Sequence, residues 1–261
     1  MPEEQLLEEP VSLKNLPYEL NEELRERAAV GLVVLATDQV IEHEFRRILD
    51  IPGVALFESR IRNETRINRD TLAAMESRLA EAVDLILPGM PMDVVAFGCT
   101  SASMVIGPER ITSLCRDSRP GVLVTNPVSA ALEALRCLDA SSIALLTPYR
   151  NDLNSQFQNL FTEEGIQVPV MGSFNEEDDN RVGRIGPDSI ENAVLELGER
   201  PGVSAVFVSC TNLRIAEQIE SLERKLGKAV TSSNHAMAWH ALRLAGIRDL
   251  QPHWGRLFEC R

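Results

Sequence analysis

The sequence predicts an α/β protein with buried parallel strands, built from two similar lobes. Three observations carry this: short apolar runs alternate with stretches of helical periodicity, the two halves of the chain echo one another, and each half ends one apolar run in a Cys-Thr pair. The runs are GLVVLAT (31–37), DVVAFG (93–98), GVLVT (121–125), SIALLT (142–147) and SAVFVS (204–209). They are continuous rather than alternating, as expected of strands covered by helices on both faces, and such strands pair in parallel.

The echoes keep a nearly constant spacing. Cys99 in FGCTS and Cys210 in VSCTN lie 111 residues apart, and so do Asp38, which ends LVVLATD, and Tyr149, which ends IALLTPY. RINRDTL (66–72) recurs as RIGPDSI (184–190), and VTNPVSAALEAL (124–135) as VTSSNHAMAWHAL (230–242). We read this as a duplication with a boundary near residue 126. It gives an acidic N-terminal extension or helix over 1–27, a first lobe over 28–126 joined by 228–250, and a second lobe over 127–227. A pseudo-twofold axis would relate the lobes.

Composition narrows the function classes. With 26 basic against 39 acidic residues the net charge is −13, which repels nucleic acid and anionic membrane surfaces. No apolar run reaches the length of a membrane span, and the start MPEEQLLEEP is acidic where a signal peptide is basic, so a cytoplasmic location is expected. The five cysteines are odd in number and widely spaced, with no CxxC pair, which argues against disulfides and a structural metal. Three lysines, two of them in the polar stretch ERKLGK, offer no desolvated amine for a Schiff base. No cofactor and no metal are expected; a homo-oligomer is left open.

In parallel sheets ligands bind beyond the carboxyl ends of the strands, where loops and helix N-termini expose N–H groups. Cys99 and Cys210 fall there, and a helix N-terminus is expected to lower their thiol pKa toward neutrality. Facing each other across the axis, the two thiols would flank one substrate carbon as an acid-base pair. Thr100, Ser101 and Thr211, with Asn212, are candidate donors to a carboxylate, and Tyr149, one of two tyrosines, is placed to join them. Cysteine is more often inert core than catalyst, which is the reading for Cys115 and Cys137; the matched pair reverses those odds for Cys99 and Cys210. His235 and His240 read as packing residues on a helix, and NEEDDN (175–180) as a solvated turn. Asp38 is either a helix cap or a ligand for a cationic group, the latter implying a zwitterionic substrate.

The segments GLVVLATDQ, AFGCTSASMVIG, LLTPYR, GSFNEEDDNRVGRI, FVSCT and VTSSNHAMAWH resemble the Asp/Glu racemase superfamily. They are most similar to its maleate isomerase and arylmalonate decarboxylase branch, and within that to a subgroup encoded with ectoine-utilisation enzymes, from about Gly31 to Ile247. The resemblance implies two Rossmann-like lobes with the active site between them and carries the paired catalytic thiols onto Cys99 and Cys210. It places carboxylate binding on Thr100, Ser101, Tyr149 and the backbone after Cys210, and the asparagine of a DN-x-x-VGR-like loop on Asn180. Decarboxylases of this branch keep one thiol, whereas this chain has both. Maleate isomerases place a substrate-binding asparagine where this chain has Asp38, whose anion would repel a second substrate carboxylate.

The expected function is therefore cofactor-independent racemisation or isomerisation of a small carboxylate linked to ectoine or hydroxyectoine catabolism. The alternatives are maleate-type cis-trans isomerisation by covalent thiolate addition, arylmalonate-type decarboxylation, and a non-catalytic small-molecule-binding protein.

Overall fold

The computed structural model describes residues 11–21 and 23–260. Two parallel four-stranded sheets form the molecule. The first contains β1 (Ala28–Leu35), β2 (Val54–Ile61), β3 (Val94–Gly98) and β4 (Leu123–Thr125), in the order β2-β1-β3-β4. The second contains β5 (Ser142–Thr147), β6 (Gln167–Ser173), β7 (Ala205–Val208) and β8 (Ala229–Ser232), in the order β6-β5-β7-β8. The order is the same in both, as the sequence echoes require.

The central strands follow from composition. Every residue of β1, β3 and β7 is buried, as their unbroken apolar runs demand, while the edge strands β2 and β6 are only half-buried. Helices α1 (Ile41–Ile48), α2 (Arg69–Ala73), α3 (Glu76–Asp84), α4 (Thr100–Ile106) and α5 (Pro108–Ser118) belong to the first half of the chain, and α6 (Pro127–Cys137) spans its middle, between β4 and β5. Helices α7 (Asn151–Glu163), α8 (Asp179–Val182), α9 (Pro187–Gly198), α10 (Ile219–Leu226) and α11 (Ser233–Leu244) belong to the second.

The last echo becomes a pair of equivalent helices. Asn126 caps α6 through Val128 N–H and Ser129 N–H, and Ser232 caps α11 through His235 N–H. The two helices pack against each other, and α11 also lies on α1 and β3 of the first sheet although β8, which leads into it, pairs with β7 of the second. Ala236, Met237, Ala238, Trp239, Ala241 and Leu242 are all buried, and so are the polar Asn234, His235 and Arg243, each with hydrogen-bond partners, which suits a helix enclosed on most of its faces. His235 and His240 are packing residues with partners: their Nδ1 atoms meet Thr231 Oγ1 and Thr125 Oγ1, each at 2.9 Å.

Residues 11–21 carry no helix, and a short 3-10 turn at Glu23–Arg25 precedes β1; the first ten residues of the acidic extension lie outside the described residues. Among the described residues no helix is long and apolar enough to cross a membrane.

Candidate active site

β3 and β7 hold equivalent places in the two sheets and run into the same residue pair, but they deliver it differently. After β3 the chain turns directly into α4, with Cys99 as its N-cap at φ −150° and its Sγ accepting the Ala102 N–H at 3.4 Å. Gly98 is needed here: a Cβ would come within 2.7 Å of Ile41 Cδ1 and 2.9 Å of the Val33 carbonyl. After β7 no helix follows at once. Cys210 takes φ +150°, a region disfavoured for any side-chain-bearing residue, and its Sγ accepts the Asn212 N–H at 3.4 Å.

Ser233, the first residue of α11, ties the two loops together. Its Oγ accepts the Cys210 N–H at 3.0 Å and the Thr100 hydroxyl at 2.9 Å. Behind the second loop Glu44 of α1 is fully buried: Oε1 accepts the N–H groups of Ile215 and Ala216, both at 2.8 Å, and Oε2 accepts Asn234 Nδ2 at 2.7 Å. Asn234 Nδ2 also donates to the Thr211 carbonyl at 2.7 Å, so a carboxylate of the first lobe holds the cysteine loop of the second.

The loops line a small common cavity. Cys99, Thr100, Ser101, Tyr149, Cys210 and Thr211 all line it, with Asn63, Glu64, Arg66, Thr71 and Asp179 as further polar walls and Leu35, Ile67, Leu72 and Met75 as apolar ones. Two loops, one from each lobe, close its mouth: Ile67 N–H donates to the Glu177 carbonyl at 2.9 Å and Asp179 N–H to the Thr65 carbonyl at 2.8 Å. Arg150 pairs with Glu177 at 2.8 Å on the rim, and Arg66 lies 3.6 Å from the same carboxylate. NEEDDN is thus half of an inter-lobe closure rather than a free solvated turn. Tyr149 stacks on Phe157 with ring centroids 5.4 Å apart, which holds its hydroxyl against the Cys210 thiol.

The electrostatics correct one expectation. Burial pushes the Cys99 thiol up to about 12, and the Ala102 N–H and Ser101 hydroxyl only partly oppose it. Burial, with the Asp179 charge, also pushes Cys210 well above its ordinary value. The thiols are not lowered toward neutrality: one N–H per sulfur does not replace the water lost on burial, and nearby carboxylates disfavour a thiolate. Asp179 is itself raised by burial, opposed by the hydroxyl of Thr37, which donates to it and in turn accepts Asn63 Nδ2 at 2.7 Å. Among the described residues no group of three or more His, Cys, Asp or Glu is placed to hold a metal.

The arylmalonate decarboxylase family matches residues 63–258, three quarters of the chain and all of both cysteine loops. The chain belongs to this family. Within it, the chain is 30% identical to a maleate isomerase of Nocardia farcinica over 88% of its own length and 95% of the relative's. It is 24% identical to a maleate isomerase of Geobacillus stearothermophilus over 88% and 96%. Among solved structures, a Nocardia farcinica maleate cis-trans isomerase variant with a covalently bound succinylcysteine intermediate superposes with a TM-score of 0.81 at 25% identity, covering 88% of this chain and 98% of that one.

Two residues expected at the site of this family member lie elsewhere. Asp38 does not line the cavity: its Oδ1 accepts the N–H groups of Val40 and Ile41, both at 2.8 Å, at the start of α1, and burial raises its carboxyl to about 6. Asn180 is outside the wall too, its carbonyl accepting Gln39 Nε2 at 3.2 Å and Arg184 Nε at 3.0 Å; its neighbour Asp179 faces the cavity instead. Sequence reasoning also missed Ser233, Asn63 and Arg66. The signals were present, since Ser233 lies in the VTSSNHA echo and Arg66 opens the RINRDTL repeat, but an echo does not say which way a side chain points.

Proposed function

We propose that this member of the arylmalonate decarboxylase family is a cofactor-independent isomerase or racemase of a small carboxylate, with Cys99 and Cys210 as its working pair. The observation that carries the reading is that two thiols from equivalent strand ends share one closed, donor-lined cavity. One thiolate takes the proton from the carbon beside the carboxylate, the electron pair moves onto the carboxylate as an enediolate, and the opposite thiol returns a proton to the other face. The hydroxyls of Thr100, Ser101 and Tyr149 and the N–H groups around Thr211 donate to the enediolate, where they act most strongly because water is excluded. A thiolate, once formed, is held by Ala102 N–H at Cys99, or by Asn212 N–H and the Tyr149 hydroxyl at Cys210. The strained backbone at Cys210, kept in place by Ser233, supports a role for that position beyond packing. Assignment of the substrate to ectoine or hydroxyectoine breakdown rests on the motif likeness alone.

A second reading is favoured by the relative solved with a succinylcysteine. In cis-trans isomerisation of a maleate-like substrate, one thiolate sulfur bonds to an alkene carbon and the electron pair passes to the carboxylate at the other end. Rotation about the resulting single bond and expulsion of the thiolate then give the trans product.

The test is incubation in deuterated water with ectoine, hydroxyectoine, related amino acids and maleate, followed by NMR and by mass measurement of the quenched protein. Deuterium at the α-carbon supports proton transfer; fumarate with a transient adduct on one cysteine supports the second reading. Full activity in both Cys99→Ser and Cys210→Ser would overturn both.

A further inference from the structure

Asp179 is the most buried charge at the cavity wall, 5% exposed, and among the described residues no lysine, arginine or histidine pairs with it. Its carboxylate meets two neutral donors, the Thr37 hydroxyl and the Asn212 side chain, while on its backbone the carbonyl accepts Asn212 Nδ2 at 2.9 Å and the N–H donates to the Thr65 carbonyl at 2.8 Å. The single basic residue of the wall, Arg66, points outward: its side chain is 67% exposed, and the carboxylate near it is Glu177. Glu64 adds a second acid to the wall, and Asp38 lies buried close behind. The other polar side chains there are hydroxyls, thiols and the Asn63 amide, so the cavity offers donors enough for one carboxylate and no buried cation for a second. An unpaired buried carboxylate is costly, and a ligand cation offsets that cost only if it reaches the group.

We propose that Asp179 is a specificity-determining residue that receives a cationic nitrogen, so that the substrate is a small carboxylate carrying an ammonium or amidinium group rather than a dicarboxylate. This rests on the cavity being the substrate site of the isomerase reading. The substrate then lies with its carboxylate toward Thr100, Ser101 and Tyr149 and its nitrogen toward Asp179, with the carbon between them flanked by the thiols.

The experiment is equilibrium binding by calorimetry with a matched pair of probes, succinate and 4-aminobutyrate, which differ in one terminal carboxylate against an aminomethyl group, and with ectoine as an amidine probe. Wild-type protein is expected to bind 4-aminobutyrate or ectoine at least about tenfold more tightly than succinate, and Asp179→Asn to erase that preference. Tighter binding of succinate by the wild type, no detectable binding of either cationic probe, or an unchanged preference in Asp179→Asn overturns the assignment. The wild-type comparison needs no variant, so a misfolded Asp179→Asn does not remove the test. Binding is read without turnover: if the preference holds while Cys99→Ser and Cys210→Ser keep full activity, the thiol chemistry fails and the nitrogen site stands, and the reverse pattern separates them the other way.

Discussion

The two cysteine loops occupy equivalent positions in sheets of identical strand order, yet they are built by different means. The Cys99 loop is local: an ordinary extended φ, a helix beginning at the next residue, and a sulfur bonded within its own turn. The Cys210 loop is assembled from afar, with a positive φ, its N–H on Ser233 of α11, its thiol against Tyr149, and its following turn on Glu44 of the other lobe. Duplication copies a strand end, not its surroundings. The two thiols are therefore chemically distinct, and each difference between them can be tested.

The largest effect is expected from the thiols themselves. Cys99→Ser and Cys210→Ser should each lose about 10²–10⁴-fold in full stereoinversion or isomerisation. If the thiols act on opposite faces, each variant should retain exchange at a different face, read as the stereochemistry of deuterium incorporation; identical residual exchange would erase the comparison.

Next comes Glu44, which only the Cys210 loop uses. Glu44→Ala strands the N–H groups of Ile215 and Ala216 and the Asn234 amide, and should destabilise the fold by about 3 kcal/mol in urea titration. The same residue gives a pH signature. Burial raises Glu44 to about 7 and Asp38 to about 6, both above their ordinary values. Their protonated forms are thus favoured by folding: this contribution is complete below the ordinary carboxylate range and is lost as pH rises through about 6 and then about 7. Wild-type stability should carry a component that falls across that window, and Glu44→Gln should flatten its upper part; a slope identical in the two proteins would contradict the burial of this carboxylate.

Ser233→Ala removes the acceptor of the Cys210 N–H and of the Thr100 hydroxyl, and about 1–3 kcal/mol of stability should go with it. Turnover should fall more than that loss of folded protein explains, since the substitution leaves the Cys99 sulfur contacts intact and frees the Cys210 loop.

The smallest effect separates the backbones. At φ +150° glycine is unstrained, so Cys210→Gly should be more stable than Cys210→Ala by about 1 kcal/mol. At Cys99, with φ −150°, glycine should bring no such advantage over alanine. Thermal melts of the four variants decide it, and a glycine advantage at both sites, or at neither, would dissolve the contrast.

Much was legible in one dimension. Strand burial is an average over many residues, so runs such as GLVVLAT and SAVFVS predicted buried parallel strands, and a duplicated chain must repeat its topology. The same repetition led to Cys99 and Cys210 and to their neighbours Thr100, Ser101, Tyr149 and Thr211, because side chains just past equivalent strand ends converge wherever two such sheets face each other. What the sequence by itself could not determine was anything that depends on the angle of one side chain or on contacts between distant segments. Whether Asp38 capped a helix or faced a ligand turned on a backbone N–H pair, and whether Asn180 or Asp179 reached the wall turned on one residue of register at the start of α8. The thiol pKa needed the whole enclosure, since desolvation is set by every segment that excludes water and not by the helix terminus alone. Glu44 and Ser233 act on loops more than 20 residues away in the chain, and only the packing of α1 and α11 between the lobes brings them there.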